Sequence, residues 1–230
     1  MKIVSVLLVV ISVSFLWAAD FWVSKDYTSW TQKECETLLT KSPWVFTNSF
    51  FQANNYGPLS SGGNQAEPER TVTFWFRSLS AKPIRMAFGQ LQLLKKPGDT
   101  AVADQMKQTI ETPPDENNRI ILQIDFSVKP AGGSTLRDIH SFLLNAHFPH
   151  FRDNTYLSSS KKGNIPLLEY RAPSPKQSNA VFIFPRVDEK GEPYFDGSEK
   201  WISLRSEIGT YKVYARNPVE KMKFQGTFEF

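Results

Sequence analysis

All three histidines of the chain lie close together in the sequence, between two aspartates. Asp138 precedes His140 and His147, and Asp153 follows His150. Three imidazoles can bind a zinc ion and leave its fourth coordination position open for water, and the zinc ion then lowers the pKa of that water. One alternative interpretation is therefore a metal-dependent or other hydrolase that uses the segment of His140, His147 and His150.

The spacing of the histidines argues against one shared metal ion. Seven residues make almost two helical turns, so His140 and His147 share a face but lie about 10 Å apart along the axis. The metalloprotease pattern places its two histidines one turn apart and adds a glutamate, and neither feature is present. Pro149 also interrupts a regular helix before His150. We predict a surface or partly buried histidine cluster, with no bound metal and no cofactor.

Motifs of the common enzyme classes are missing. The sequence contains no Gly-x-Ser-x-Gly turn and no Walker or dinucleotide-binding fingerprint. The stretch Gly132-Gly133-Ser134-Thr135 could present backbone amides to an anion at a helix start. The same residues are also an ordinary turn followed by a helix N-cap, which is the interpretation we favour. No catalytic residue is predicted.

The single cysteine, Cys35, cannot form an internal disulfide bond. It shares one side of a predicted helix with Leu38 and Leu39, which indicates a buried thiol. A nucleophilic cysteine would need a neighbouring cation to lower its pKa. The chain must therefore be stabilised by its hydrophobic core, to which 18 Phe, seven Tyr and six Trp can contribute.

The N-terminus has the layout of a secretory signal peptide. Lys2 precedes an apolar run from Ile3 to Trp17, and Ala18-Ala19 follows. The run is short for a membrane span, which needs about 20 apolar residues. We predict a signal peptide over residues 1–18 and a single exported domain, periplasmic or extracellular, over residues 19–230. An uncleaved signal anchor is the alternative.

The charge balance is mildly basic, with a net charge of +4 from scattered lysines and arginines. A nucleic-acid partner would require a concentrated basic patch, so we predict none. The predicted partner is a protein or a component of the cell envelope. No integral membrane insertion is expected after signal cleavage.

Local patterns predict three helices. Thr31 and Glu34 match a capping box for a helix that ends at Ser42-Pro43. A second helix, over residues 81–94, is predicted from the helical spacing of Ile84, Ala87, Phe88, Leu91 and Leu94. A third is predicted over residues 135–147, and none in the polar segment 95–118.

Alternation of apolar and polar residues predicts strands over residues 44–51, 71–77, 120–128, 167–170, 180–184, 201–207, 211–216 and 223–230. The last strand would place Phe224, Gly226, Phe228 and Phe230 on one face. Strands interrupted by helices predict an α+β fold, either a largely antiparallel β-sheet or a β-sandwich with two or three helices.

Several stretches resemble an uncharacterised family of secreted bacterial proteins. They are Tyr27-Thr28-Ser29-Trp30-Thr31, Leu38-Leu39-Thr40-Lys41-Ser42-Pro43-Trp44, Pro83-Ile84-Arg85, Phe182-Ile183-Phe184-Pro185-Arg186, Ile208-Gly209 and Met222-Lys223-Phe224-Gln225-Gly226. The resemblance covers most of the mature chain. It implies a secreted, one-domain protein of unknown function and contributes no catalytic residue. The histidine segment departs from the family pattern.

The leading functional prediction is a non-enzymatic binding or structural module outside the cytoplasm. The ending Phe228-Glu229-Phe230 is similar to the aromatic-x-aromatic ending of outer-membrane proteins, so an outer-membrane-associated β protein is a second alternative beside the hydrolase. The predicted helices and the small number of long strands favour an amphipathic strand that closes an ordinary sheet.

Overall fold

The computed structural model describes residues 21–52, 69–112, 118–131, 133–175 and 177–230, so the predicted signal peptide over residues 1–18 lies outside it. The α-helices are α1 (Phe21–Ser24), α2 (Gln32–Lys41), α3 (Lys82–Lys95), α4 (Thr100–Glu111), α5 (Gly133–Asn145) and α6 (Phe148–Phe151). Short 3-10 turns occur at Tyr27–Ser29 and Val219–Lys221. Within these ranges, none of the helices combines the length and apolarity that crossing a membrane requires.

The described strands form three antiparallel sheets. The strands are β1 (Val45–Gln52), β2 (Arg70–Ser78), β3 (Ile120–Lys129), β4 (Tyr156–Ser159), β5 (Ile165–Pro166), β6 (Glu169–Arg171), β7 (Val181–Phe184), β8 (Trp201–Ile208), β9 (Tyr211–Pro218), β10 (Lys223–Phe224) and β11 (Thr227–Phe228). A five-stranded sheet has the order β1-β2-β3-β7-β6, a four-stranded sheet the order β5-β4-β8-β9, and β10 pairs with β11. The predicted α+β class with largely antiparallel sheet is confirmed.

Helix α2 begins at the predicted capping box. The Glu34 amide donates to the Thr31 hydroxyl at 3.3 Å, and the Thr31 amide donates to the Glu34 carboxylate at 2.8 Å. These two bonds satisfy amides that the first turn of a helix leaves without partners. The residues of α2 that reach the core are those predicted from their spacing, namely Cys35, Leu38 and Leu39.

The five-stranded sheet buries one face in the hydrophobic core. Phe46 of β1 lies opposite Phe76 of β2, which lies opposite Ile124 of β3. The ring of Phe76 also stacks on Phe182 of β7, with centroids 6.1 Å apart and planes at 9°. Because side chains alternate along a strand, the residues between them face outward, including Thr47, Thr73 and Trp75.

Asparagine side chains join the edge strands of the two larger sheets. The Tyr214 amide of β9 donates to the Asn48 side chain of β1 at 2.8 Å. The Asn217 side chain donates to the carbonyls of Pro43 at 2.8 Å and Val45 at 3.1 Å. At the other edge, β5 and β6 lie on one continuous stretch of chain. The two sheets are thereby connected at both edges and enclose a common core.

Helix α4 was not predicted. Asp99 caps it by accepting a hydrogen bond from the Val102 amide at 3.1 Å. Ile110 is its one fully buried residue. Val102, Met106 and Ile110 recur at helical spacing in the sequence, a signal that the prediction overlooked in a segment of polar composition. Helix α3 confirms the helix predicted over residues 81–94, although Leu94 in its last turn is 45% exposed.

The predicted C-terminal strand over residues 223–230 is instead a short hairpin. Gln225 and Gly226 adopt positive φ angles of 50° and 82° and turn the chain between β10 and β11. Phe224 and Phe230 are buried, as expected, whereas Phe228 is partly exposed. The alternating pattern was correct about which aromatic residues approach the core and wrong about the turn, which glycine at Gly226 makes possible.

Candidate functional site

The predicted histidine segment extends over two helices. His140 lies on α5, His147 precedes α6 and His150 lies within α6, and all three side chains are exposed. His147 donates its backbone amide to His150 Nδ1 at 3.0 Å, and the two rings lie 6.1 Å apart. In the described part of the chain, no three His, Cys, Asp or Glu side chains are grouped so that they could hold a metal ion. The metal-site alternative therefore gains no support from these ranges.

The two aspartates near the histidines have other partners. Asp153 accepts two hydrogen bonds from Arg152, and these bonds lower the pKa of its carboxyl. Asp138 lines a cleft of about 340 Å³ between α5 and the β8–β9 turn. At this cleft Gln52 donates to the Tyr211 hydroxyl at 2.8 Å. Burial raises the pKa of Tyr211, and the charge of Asp138 adds to this effect. The cleft therefore offers the polar side chains of Gln52 and Tyr211 beside one carboxylate, Asp138.

The outer face of the four-stranded sheet carries arginines among aromatic side chains. It consists of Tyr156, Trp201, Arg205, Tyr214 and Arg216, and we call it the arginine–aromatic face. The register places Arg205 of β8 between Tyr156 of β4 and Tyr214 of β9. The alternate residues of β8 and β9 are buried, namely Ile202, Leu204, Val213 and Ala215. Core burial of these apolar residues forces the arginines and aromatics outward.

The side chains of this face hold one another in place. Arg205 Nη1 donates to the Tyr156 hydroxyl at 3.2 Å. The guanidinium carbon of Arg216 lies 4.1 Å from the Trp201 ring centroid, and Arg216 Nη2 donates to the Tyr214 hydroxyl. Tyr214 is 52% exposed. An arginine stacked on an indole keeps N–H donors at its edge, where a ligand can reach them.

A groove runs beside the arginine–aromatic face, between the end of α2 and the β1–β9 edge. Its volume is about 420 Å³, and its lining includes Lys41, Arg216, Asn217 and Lys221. Ser42 also lines it, and the Ser42 hydroxyl is buried without a hydrogen-bond partner in the described ranges. Arg216 therefore belongs both to the groove and to the arginine–aromatic face. Together they form one continuous candidate site.

The candidate site is positively charged. Arg205, Arg216, Lys41 and Lys221 are exposed. On the same side of the sheet, beside this site, Lys212 pairs with Glu207 at 4.0 Å between Nζ and Oε1, so these two charges offset each other. Uncompensated charge of one sign attracts oppositely charged ligands over a distance. The arrangement can bind an anion through the arginine edges and a flat apolar surface through the aromatic rings.

The candidate site was not predicted from the sequence, although three of its residues lie in a hairpin that was predicted. The predicted hairpin around Gly209 already alternates apolar residues with Arg205, Tyr214 and Arg216. The contribution of Tyr156 depends on β4, which was not predicted because its four residues, Tyr-Leu-Ser-Ser, carry little β-strand pattern. The contribution of Lys41 depends on the β1–β9 contact, which joins residues far apart in the sequence.

Comparison of the chain with protein-family models, with curated proteins and with solved structures found no match. The resemblance to secreted bacterial proteins stays a prediction. The functional conclusion therefore depends on the geometry of the arginine–aromatic face and its groove.

Proposed function

We propose that this protein is a non-enzymatic binding module, exported from the cytoplasm, whose arginine–aromatic face and adjoining groove bind an acidic glycan of the cell envelope. The observation that carries the proposal is the placement of Arg216, stacked at 4.1 Å on Trp201 and lining a groove with Lys41 and Lys221.

The chemistry of the face suits a charged sugar polymer. Arginine forms paired, charge-assisted hydrogen bonds with carboxylate, sulfate and phosphate groups. Tyrosine and tryptophan offer a flat apolar surface with a polar tip, which matches a sugar ring with C–H groups on one side and hydroxyls at its edge. Arg205 and Arg216 are diagonal neighbours on adjacent strands, about 7–8 Å apart at the backbone. Two charges of one polymer can be bound together.

A protein that leaves the cytoplasm meets acidic glycans more often than nucleic acids, although both polymers carry regular negative charge. The predicted signal peptide over residues 1–18 therefore favours the glycan as the ligand. Single-stranded nucleic acid also binds to basic, aromatic surfaces, so it is the competing ligand that the experiment must include.

The proposal predicts that polygalacturonate, a carboxylated polysaccharide, binds to the purified protein and that neutral dextran does not. Arg216→Ala should weaken binding at least about tenfold, because it removes both the stacked guanidinium and a cation of the groove. Arg137→Ala is the matched control, since Arg137 is an exposed arginine of α5 outside the site. Isothermal titration calorimetry at two salt concentrations measures the affinities.

Two results would overturn the proposal. Equal weakening by Arg216→Ala and Arg137→Ala would show that only net charge matters. Tighter binding of single-stranded DNA than of polygalacturonate at the same salt concentration would identify the face as a nucleic-acid site.

A further inference from the structure

A third cavity lies between α3 and α4 and shares no residue with the arginine–aromatic face. Its volume is about 420 Å³, within the range of about 300–1,000 Å³ that is usual for small-molecule sites. Much of its wall is apolar, formed by Leu79, Phe88, Gly89 and Met106. A Cβ atom on Gly89 would lie 2.8 Å from Ile110 Cδ1. This glycine therefore lets α3 and α4 approach closely beside the cavity.

One charged side chain, Arg85, lines this apolar cavity. It is 9% exposed. Its Nε donates to the Ile110 carbonyl at 3.0 Å, and its Nη1 donates to the carbonyls of Leu79, at 3.1 Å, and Ser80. The remaining terminal nitrogen, Nη2, donates to no residue in the described ranges. Among the described residues, three carbonyls fix the guanidinium, and none accepts a hydrogen bond from Nη2.

The charge of Arg85 has no close counter-ion in the part of the chain that the structure describes. No carboxylate there lies within 4.0 Å of its guanidinium. Burial lowers the pKa of Arg85, and the more distant charges of Glu229 and Glu111 oppose this effect. Removing a cation from water is costly unless an anion or several hydrogen bonds compensate for it. An anionic group placed at Nη2 would complete the compensation.

We propose that the cavity between α3 and α4 binds a small amphiphile with an anionic head and an unbranched apolar tail, the chemistry of a fatty-acid carboxylate. The head accepts hydrogen bonds from Arg85, and the tail lies against Phe88 and Met106. Each methylene group of the tail is removed from water as it enters the cavity, which favours binding. The site is independent of the proposed glycan ligand, since it shares no side chain with that face.

The charge requirement can be tested on the unchanged protein. Decanoate, decanol and decyltrimethylammonium carry the same tail and differ in head group, so calorimetric titration below their aggregation concentrations compares the heads alone. Decanoate should bind at least about tenfold more tightly than decanol, because a site with a fixed donor rejects a ligand that leaves it unpaired. The cationic ligand should bind more weakly than either. Equal affinities for decanoate and decanol would overturn the proposal.

The location of the site is tested by filling the cavity while Arg85 is retained. Met106→Trp places a larger side chain in the cavity and should abolish decanoate binding. Lys107→Trp is the matched control, because Lys107 is exposed on the same helix and does not line the cavity. It should bind decanoate with unchanged affinity. Unchanged binding by Met106→Trp, with folding confirmed by circular dichroism, would place the ligand elsewhere and overturn the proposal.

Discussion

Arg77 is a charged side chain that α2 and the five-stranded sheet together bury. Its Nε donates to the Leu39 carbonyl at 2.7 Å, and its Nη2 pairs with the Asp125 carboxylate at 2.7 Å. Tyr170 is held in a similar way, since its buried hydroxyl donates to the Leu143 carbonyl. Burial raises the pKa of Tyr170 far above its usual value, so the hydroxyl stays protonated. Specific partners allow single polar residues to lie within an aromatic core.

Cys35 is fully buried, and no cation among the described residues lowers the pKa of its thiol. Burial raises the pKa of its thiol from 9.0 to about 11, and the charge of Glu34 adds to this effect. The thiolate is the reactive form, so at pH 8 we expect no reaction with Ellman's reagent on the minutes timescale in native protein. One thiol should react promptly once the protein is unfolded in guanidinium chloride.

The raised pKa of the Cys35 thiol determines the direction in which pH changes the stability of the fold. Below pH 9 the thiol is mainly protonated in both the folded and the unfolded protein, and between pH 9 and about 11 it ionises mainly in the unfolded protein. This ionisation favours unfolding as pH rises. Cys35→Ala should remove that part of the pH dependence. Rapid labelling of the native protein at pH 8 would contradict the burial of this thiol.

At the scale of elements, side-chain hydrogen bonds replace a backbone ladder where β1 meets β9. Asn48 and Asn217 each bridge the two strands. An asparagine amide can donate twice, and Asn217 uses this capacity for two carbonyls of the β1 side. The link positions Arg216, the neighbour of Asn217, beside Lys41 in the groove. The joint between the sheets is therefore also part of the candidate site.

Asn217→Ala is expected to destabilise the protein by about 1–3 kcal/mol, because the carbonyls of Pro43 and Val45 lose their donor. Asn145→Ala is the matched control, since Asn145 is exposed and its hydrogen bonds to described residues stay within its own helix. Its effect should stay within about 0.5 kcal/mol. Urea unfolding followed by tryptophan fluorescence measures both variants. Equal stabilities for the two would show that the joint does not depend on Asn217.

At the scale of the whole molecule, the larger hydrophobic core of the described residues includes both Trp22 and Phe230. The ring of Phe230 lies 5.9 Å from Phe46 of β1 and 5.4 Å from Phe195. Glu229 accepts a hydrogen bond from the Lys82 amide at 2.9 Å, at the start of α3. The end of the chain thus contacts the five-stranded sheet and the helical layer together.

Phe230→Ala should cost about 3–5 kcal/mol of unfolding free energy, the usual range for a fully buried phenylalanine. Phe228→Ala should cost less, because Phe228 is only partly buried. Thr227 is exposed in the same hairpin, so Thr227→Ala serves as the control and should change the unfolding free energy by no more than about 0.5 kcal/mol. Thermal and urea unfolding give the ranking. A larger loss for Phe228→Ala than for Phe230→Ala would contradict the position of the terminal ring.

The sequence alone determined the elements whose signals are local. The capping box at Thr31 and Glu34, the burial of Cys35 and the two-faced strand around Phe74 were all predicted correctly, because each depends on neighbours within one helical turn or on strand alternation. The class of the fold followed from the order of these elements. Helix α4 was missed because the segment was judged by its polar composition, although Val102, Met106 and Ile110 recur in it at helical spacing.

Only the tertiary structure decided where the chemistry lies. The three histidines were considered as metal ligands because they are close in the sequence. His140, however, lies on α5, whereas His147 and His150 lie at the start of α6 and within it. The arginine–aromatic face combines β4, β8 and β9 with the end of α2, and strand pairing sets that combination. Pairing register and sheet contacts depend on burying the whole apolar surface at once, so they act between residues that no local pattern connects.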